Sequence, residues 1–175
     1  IEPARATYTD TATQTEEESR QNPAGEMNWL FYRSRALSRD TRMAGSARLV
    51  SRLSVDRAHA HLTPVLVDIA RDGTTQTVSR GFLNLSYRDG LRRSKPLPVG
   101  KPVSARLGFK PQDQRFEKGH RIGVLMQSSN SAWAVPDDPG ATVTVHHRPG
   151  RRGSSLSLPL VDPPANHRAL FQHRR

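Results

Sequence analysis

Between Ala47 and Val55 the apolar residues Ala47, Leu49, Leu53 and Val55 fall on odd positions, a period of two. That spacing places them on one face of an extended chain, since successive strand side chains point to opposite sides. The pattern recurs. Val65, Val67 and Ile69 share one face of segment 59–69, with Leu66 and Asp68 on the other. Val103, Ala105, Leu107 and Phe109 alternate in the same way, and so do Ile122, Val124 and Met126. Strands are also expected at 29–37, 74–78, 81–87, 141–146 and 156–160, giving about eight short strands and no amphipathic helix. Asp72-Gly73 marks a turn. Thirteen prolines spread along the chain reinforce short elements. The expected fold class is all-β, a sandwich or jelly roll.

Composition bounds the rest. The 175 residues, 34% hydrophobic, suffice for one modest core. No run approaches the length of an apolar membrane span, so no membrane partner is expected. The start, Ile1-Glu2-Pro3, lacks a signal-peptide pattern and an initiator Met, which suggests a beginning inside a longer chain. Zero cysteines exclude disulfides, thiolate metal sites and Cys nucleophiles. Residues 1–27 are acidic and read as an extended arm or interdomain linker. The body, 28–161, is one β-sandwich. From Asp162 the basic tail, 162–175, is expected to be disordered.

The net charge of +11 comes from 27 basic and 16 acidic residues, and would attract polyanions without selecting among them. The pairs Arg92-Arg93, Arg151-Arg152 and Arg174-Arg175 are not interleaved with aromatics, and no nucleic-acid motif is present, so no specific nucleic-acid partner is expected.

Catalytic chemistry is absent from the motifs. No Gly-x-Ser-x-Gly occurs, so the strained turn that exposes a hydrolase serine is missing. His59 and His61 would share a strand face and His146-His147 forms a second pair, yet two ligands fall short of a metal set. No metal and no cofactor are expected. His120, after Gly119 in a turn, is read as a structural hydrogen-bonding residue. Asp137-Asp138 lie among prolines and read as an acidic turn rather than a calcium loop. Trp133, in the same loop, is either an interface or sugar-stacking aromatic or a cap on the sandwich end. The candidate contacts are Trp29, Tyr87, Arg88, His120 and Trp133.

Several segments in order carry a resemblance: Leu30-Phe31-Tyr32-Arg33-Ser34, then ARLVSRLSVDRAHAHLTPVLVDIARDG, GFLNLSYRDGL with Pro96-Leu97, KGHRIGVLMQSSN, and the closing SLSLPL. From about Trp29 to Leu160 the chain resembles the C-terminal domain of the Xaa-Pro dipeptidyl-peptidase and cocaine-esterase-like serine hydrolases. The resemblance implies a jelly-roll β-sandwich of the galactose-binding-like kind that follows and packs on an α/β-hydrolase catalytic domain of the same polypeptide, and a secreted parent fits it. The triad belongs to that preceding domain, so no catalytic residue is carried onto this chain. Ala132-Trp133-Ala134-Val135 replaces the family's aromatic-Pro-Arg run. Two functions are weighed: a non-catalytic support for the hydrolase domain and its substrate cleft, and a stand-alone module binding carbohydrate or an anionic surface. Homo-oligomerisation is left open.

Overall fold

The alternation at 47–55 becomes the central strand of a β-sandwich. The structure, a computed structural model, describes residues 4–22, 28–147 and 153–161, and the backbone alone of 171–173. Its elements run β1 (Arg5–Thr9), α1 (Glu16–Gln21), β2 (Leu30–Ser34), β3 (Thr41–Gly45), β4 (Arg48–Val55), β5 (His61–Leu62), β6 (Val65–Ile69) and β7 (Thr75–Arg80). There follow β8 (Leu83–Asn84), a 3-10 turn (Leu85–Tyr87), β9 (Val103–Gly108), β10 (Gln112–Phe116), β11 (Arg121–Met126), β12 (Thr142–His146), β13 (Ser155–Ser157) and β14 (Phe171–His173).

One sheet is organised around β4. Its second half pairs with β12 and its first half with β13 on the same edge, while β9 lies along the other edge, and β1 extends the sheet beyond β12. The opposing sheet has the order β14-β2-β11-β6-β7, and every pairing is antiparallel. Two small ribbons, β3 with β10 and β5 with β8, close the ends. Leu49, Leu53 and Val55 from β4 meet Ile122, Val124 and Met126 from β11 in the main core, with Tyr8, Met43, Leu66 and Phe116. Each such burial contributes about 1.5–3 kcal/mol. The all-β sandwich class expected from alternation is the one observed.

The central strands β6 and β11 of the second sheet are buried on both faces. Val65, Val67, Ile69, Phe31 and Leu125 form a separate cluster on its outer side, with Trp29 packed against it. This explains why 65–69 is buried at every position, with Asp68 its one polar residue. It also explains Gly123: a Cβ there would lie 2.7 Å from Val67 Cγ2 and 2.9 Å from both Ile69 Cδ1 and Phe31 Cε2.

Three expectations differ from the structure. The first is the extended arm. Arg5–Thr9 is a strand hydrogen-bonded to β12, with Tyr8 buried in the core and its hydroxyl 3.1 Å from Ser128 Oγ. Glu16–Gln21 is a helix started by a capping box, in which Thr15 Oγ1 accepts from the Glu18 amide and the Glu18 carboxylate accepts from the Thr15 amide. The charge of this segment hid the helix, because its buried contacts are polar.

The second difference is the pair β3 and β10, where no strand was expected. In β10 only Phe116 is buried, so the segment carries almost no apolar signal. Its ribbon is secured by Arg42, whose Nε donates to Asp113 Oδ1 at 2.8 Å, and by the Arg115–Asp40 pair. The third is the histidine pair: only His61 lies on a strand, and His59 precedes it and hydrogen-bonds Ser86 Oγ at 3.0 Å. The tail expectation concerns residues mostly outside the described ones. Phe171–His173 does pair with β2.

Candidate functional site: an exposed aromatic corner

The strand β11 ends in Met126, and the four residues after it, Gln127-Ser128-Ser129-Asn130, are fully buried although polar. Burial of that kind requires hydrogen bonds, and the N-terminal segment supplies many of them. Gln14 Nε2 donates to Gln127 Oε1 at 2.9 Å, and Ser19 Oγ donates to the same oxygen at 2.8 Å. The Ser129 amide donates to Asp10 Oδ1 at 2.8 Å, and Asn130 Nδ2 donates to Glu16 Oε2 at 3.2 Å. Glu16 is also gripped by Arg80 of β7, Nε to Oε2 at 2.6 Å and Nη2 to Oε1 at 2.8 Å, and accepts from the Thr77 hydroxyl. Burial pushes the Glu16 carboxyl up, but the hydrogen bonds from Arg80, Thr77 and Asn130 outweigh it and hold it below the usual carboxylate range.

This network fixes the loop that follows. The amides of Trp133 and Ala134 both donate to the Asn130 carbonyl, at 2.8 Å each, and the Asn130 amide donates to Ala134 O at 2.8 Å. The tight loop projects Trp133 outward, 53% exposed, beside Phe82 at 38%. Their ring centroids are 6.3 Å apart. Arg80 stands over the indole, with Cζ 4.7 Å from its centroid, and the Lys110 ammonium lies 5.7 Å away. Arg80 therefore joins the buried carboxylate on one side to the exposed ring on the other.

The other candidate residues lie elsewhere. Trp29 is half-buried against the outer cluster and its indole N–H donates to Asn22 O at 3.2 Å. Tyr87 ends the 3-10 turn and Arg88 follows it; the Arg88 guanidinium donates to the carbonyls of Leu85 and Lys95 at 3.1 and 2.7 Å. His120 Nδ1 hydrogen-bonds Asp68 Oδ1 at 2.9 Å, the structural contact expected of it. Burial raises the Asp68 carboxyl, and His120 pulls it only part of the way back. Asp138 pairs with Arg57, as an acidic turn should. His147 Nε2 lies 2.6 Å from the Tyr32 hydroxyl and His146 Nε2 lies 3.2 Å from Ser54 Oγ. No group of three or more His, Asp or Glu among the described residues could hold a metal ion. Among the same residues no helix is long and apolar enough to cross a membrane.

The sequence missed Phe82, Arg80, Lys110 and Glu16. Only Glu16 had a usable signal, the Thr15-x-x-Glu18 box that starts its helix. Phe82 and Lys110 join Trp133 through the fold alone.

The fold is an antiparallel β-sandwich that carries one exposed aromatic corner. The chain belongs to the X-Pro dipeptidyl-peptidase C-terminal non-catalytic domain family, whose profile matches residues 3–172. A provisionally named Xaa-Pro dipeptidyl-peptidase of Bacillus anthracis is 28% identical over 141 residues, covering 80% of this chain and 22% of that protein. A protein of the same provisional name from Rhodopirellula baltica is 29% identical over 138 residues, covering 75% of this chain and 21% of its own length. This chain thus spans about a fifth of the curated relatives it matches. Among solved structures, an α-amino acid ester hydrolase matches with a TM-score of 0.76 at 19% identity, over 90% of this chain and 33% of that one. An aminopeptidase of a Thaumarchaeota archaeon matches at 0.77 and 17%, over 93% and 34%. A CocE/NonD family hydrolase of Staphylococcus aureus matches at 0.68 and 15%, over 90% and 32%. At these identities the solved structures establish the shared fold.

Proposed function

We propose that this module works as the C-terminal support of a serine hydrolase that releases Xaa-Pro dipeptides or acyl groups, and that it docks on the catalytic domain through the Trp133 corner. The observation that carries the docking surface is the exposed pair Trp133 and Phe82, rigidly mounted on a buried polar network. An exposed tryptophan flanked by arginine is the composition that dominates protein–protein contacts, and a preformed anchor loses little entropy on binding. The occupant is the remainder of the parent polypeptide, because in the relatives the matched module is a minor part of a longer chain. Docked there, the module would hold the hydrolase domain and wall its substrate cleft. By itself it would not hydrolyse, since nucleophile and oxyanion donors must be assembled together.

The test uses the full polypeptide that carries this sequence. Trp133→Ala with Phe82→Ala should lower turnover of a chromogenic Ala-Pro amide or a short acyl ester about tenfold or more, and should let a protease separate the module from the rest. Unchanged turnover together with unchanged protease resistance would remove the docking surface from the Trp133 corner. The stand-alone reading, a module binding carbohydrate or an anionic surface, draws no support from the family match.

A further inference from the structure

Away from the Trp133 corner, the basic loop after the 3-10 turn folds back beside β9 and leaves an open cavity of about 430 Å³. Three cations line it, Arg88, Lys95 and Arg106, against one carboxylate, Asp89. Lys95 and Asp89 form a loose pair at 3.3 Å, with both side chains about two-thirds exposed, so that pair cancels itself. Two positive charges remain. Arg88 spends its donors on the carbonyls of Leu85, Lys95 and Pro96, which are neutral, so its charge stays uncompensated while its position is fixed. Arg106 projects from β9, exposed, with no ion-pair partner among the described residues. Leu97, buried, and Val103 give the cavity an apolar wall.

An immobilised guanidinium and a free one above an apolar wall match an oxyanion carried on a short hydrocarbon body. Guanidinium presents paired donors in the geometry that carboxylate and phosphate oxygens accept, and a poorly hydrated wall favours the attached carbon chain. We propose that this cavity binds a small organic anion, a carboxylate or phosphomonoester on a short aliphatic body. Arg106 supplies the recognising charge and Arg88 sets the local field. The site stands on its own geometry and does not depend on the docking reading: the two share no residue.

Nuclear magnetic resonance titration of the full polypeptide, isotopically labelled in the 175-residue segment, tests it, with n-butyl phosphate and valerate as probes, n-butanol as neutral control and inorganic phosphate as the charge-only control. At about 0.15 M salt, where long-range attraction is screened within about 8 Å, both organic anions should shift the amide signals of Leu97, Val103 and Arg106 along saturable curves in the millimolar range. Arg106→Gln should weaken them at least fivefold, while Arg5→Gln, which removes the same charge from the remote strand β1, should leave them unchanged. n-Butanol should not saturate, and inorganic phosphate should bind more weakly than n-butyl phosphate. Three results would overturn the proposal: no saturation by either anion up to about 20 mM, equal weakening by Arg5→Gln and Arg106→Gln, or n-butanol binding as well as the anions.

Discussion

Glu16 and Arg80 meet through two hydrogen bonds, 2.6 and 2.8 Å long, between a helix near the start of the chain and a strand of the second sheet. The Glu16 side chain is only 10% exposed and that of Arg80 29%. Removing one member leaves the other charge partly buried and alone, which costs more than the pair contributes net. Glu16→Ala should therefore destabilise the fold by about 2–3 kcal/mol, less than a fully buried pair because Arg80 reaches water. Arg80→Met added to Glu16→Ala should cost less than the sum of the single changes, as coupled neighbours do. Urea denaturation of the four proteins checks both statements, and strict additivity would contradict the coupling.

The same carboxylate sets an acid limit. Its folded pKa is lowered, so its stabilising contribution is complete above the unfolded carboxylate range and disappears as pH falls through the folded value. Glu16→Gln should remove this part of the acid sensitivity, so the stability curves of variant and native chain converge as pH drops below about 4. Parallel curves down to the acid end would contradict it.

Asp68 titrates with the opposite sign. Burial raises its folded pKa above the unfolded value, so the folded chain holds that proton more tightly, and stability from this group is lost as pH rises through the raised value. Asp68→Asn keeps an acceptor facing His120 and removes the ionisation. At neutral pH its stability should match or exceed the native by up to about 1 kcal/mol. Equilibrium unfolding at pH about 4, near the unfolded carboxylate value, and at pH about 7 would show the native chain losing more than the variant across that interval. A large loss in the variant at both pH values would instead mark Asp68 as an essential ion-pair partner.

Gly123 is required by space rather than by backbone conformation. The Cβ of Gly123→Ala would enter between Val67, Ile69 and Phe31 on the outer face of the second sheet. A cost of about 1–3 kcal/mol is expected, read from the shift in denaturation midpoint. A neutral substitution would mean that the outer cluster is looser than its burial implies.

Much of the sandwich was legible because its strands obey one rule. β4, β11 and β12 place their large apolar residues at alternate positions on the face that meets the core. The legibility fails where burial is polar or one-sided. Glu16, Asp10 and Ser19 are buried through hydrogen bonds, which hydropathy counts as solvated surface, so the acidic segment looked like a linker. β10 contributes one core residue, Phe116, and its remaining positions read as loop. Trp133 was visible as a candidate, but its exposure depends on the Asn130 loop and on Phe82 arriving from another strand. A single sequence does not contain that juxtaposition.

The Trp133 side chain makes a contrasting demand. In the isolated chain Trp133→Ala should change stability by no more than about 0.5 kcal/mol, because the ring is largely in water and its loop is fixed by backbone hydrogen bonds. Loss of several kcal/mol would reassign the indole to the fold.

The most direct test of the support role is the native mass of the polypeptide carrying this sequence, measured in its source by immunoblot with an antibody to the 175-residue chain. The account predicts a band well above 19.5 kDa that co-purifies with Xaa-Pro amide or acyl ester hydrolysis. A sole band at 19.5 kDa, with hydrolysis absent from the fractions that contain it, would contradict it.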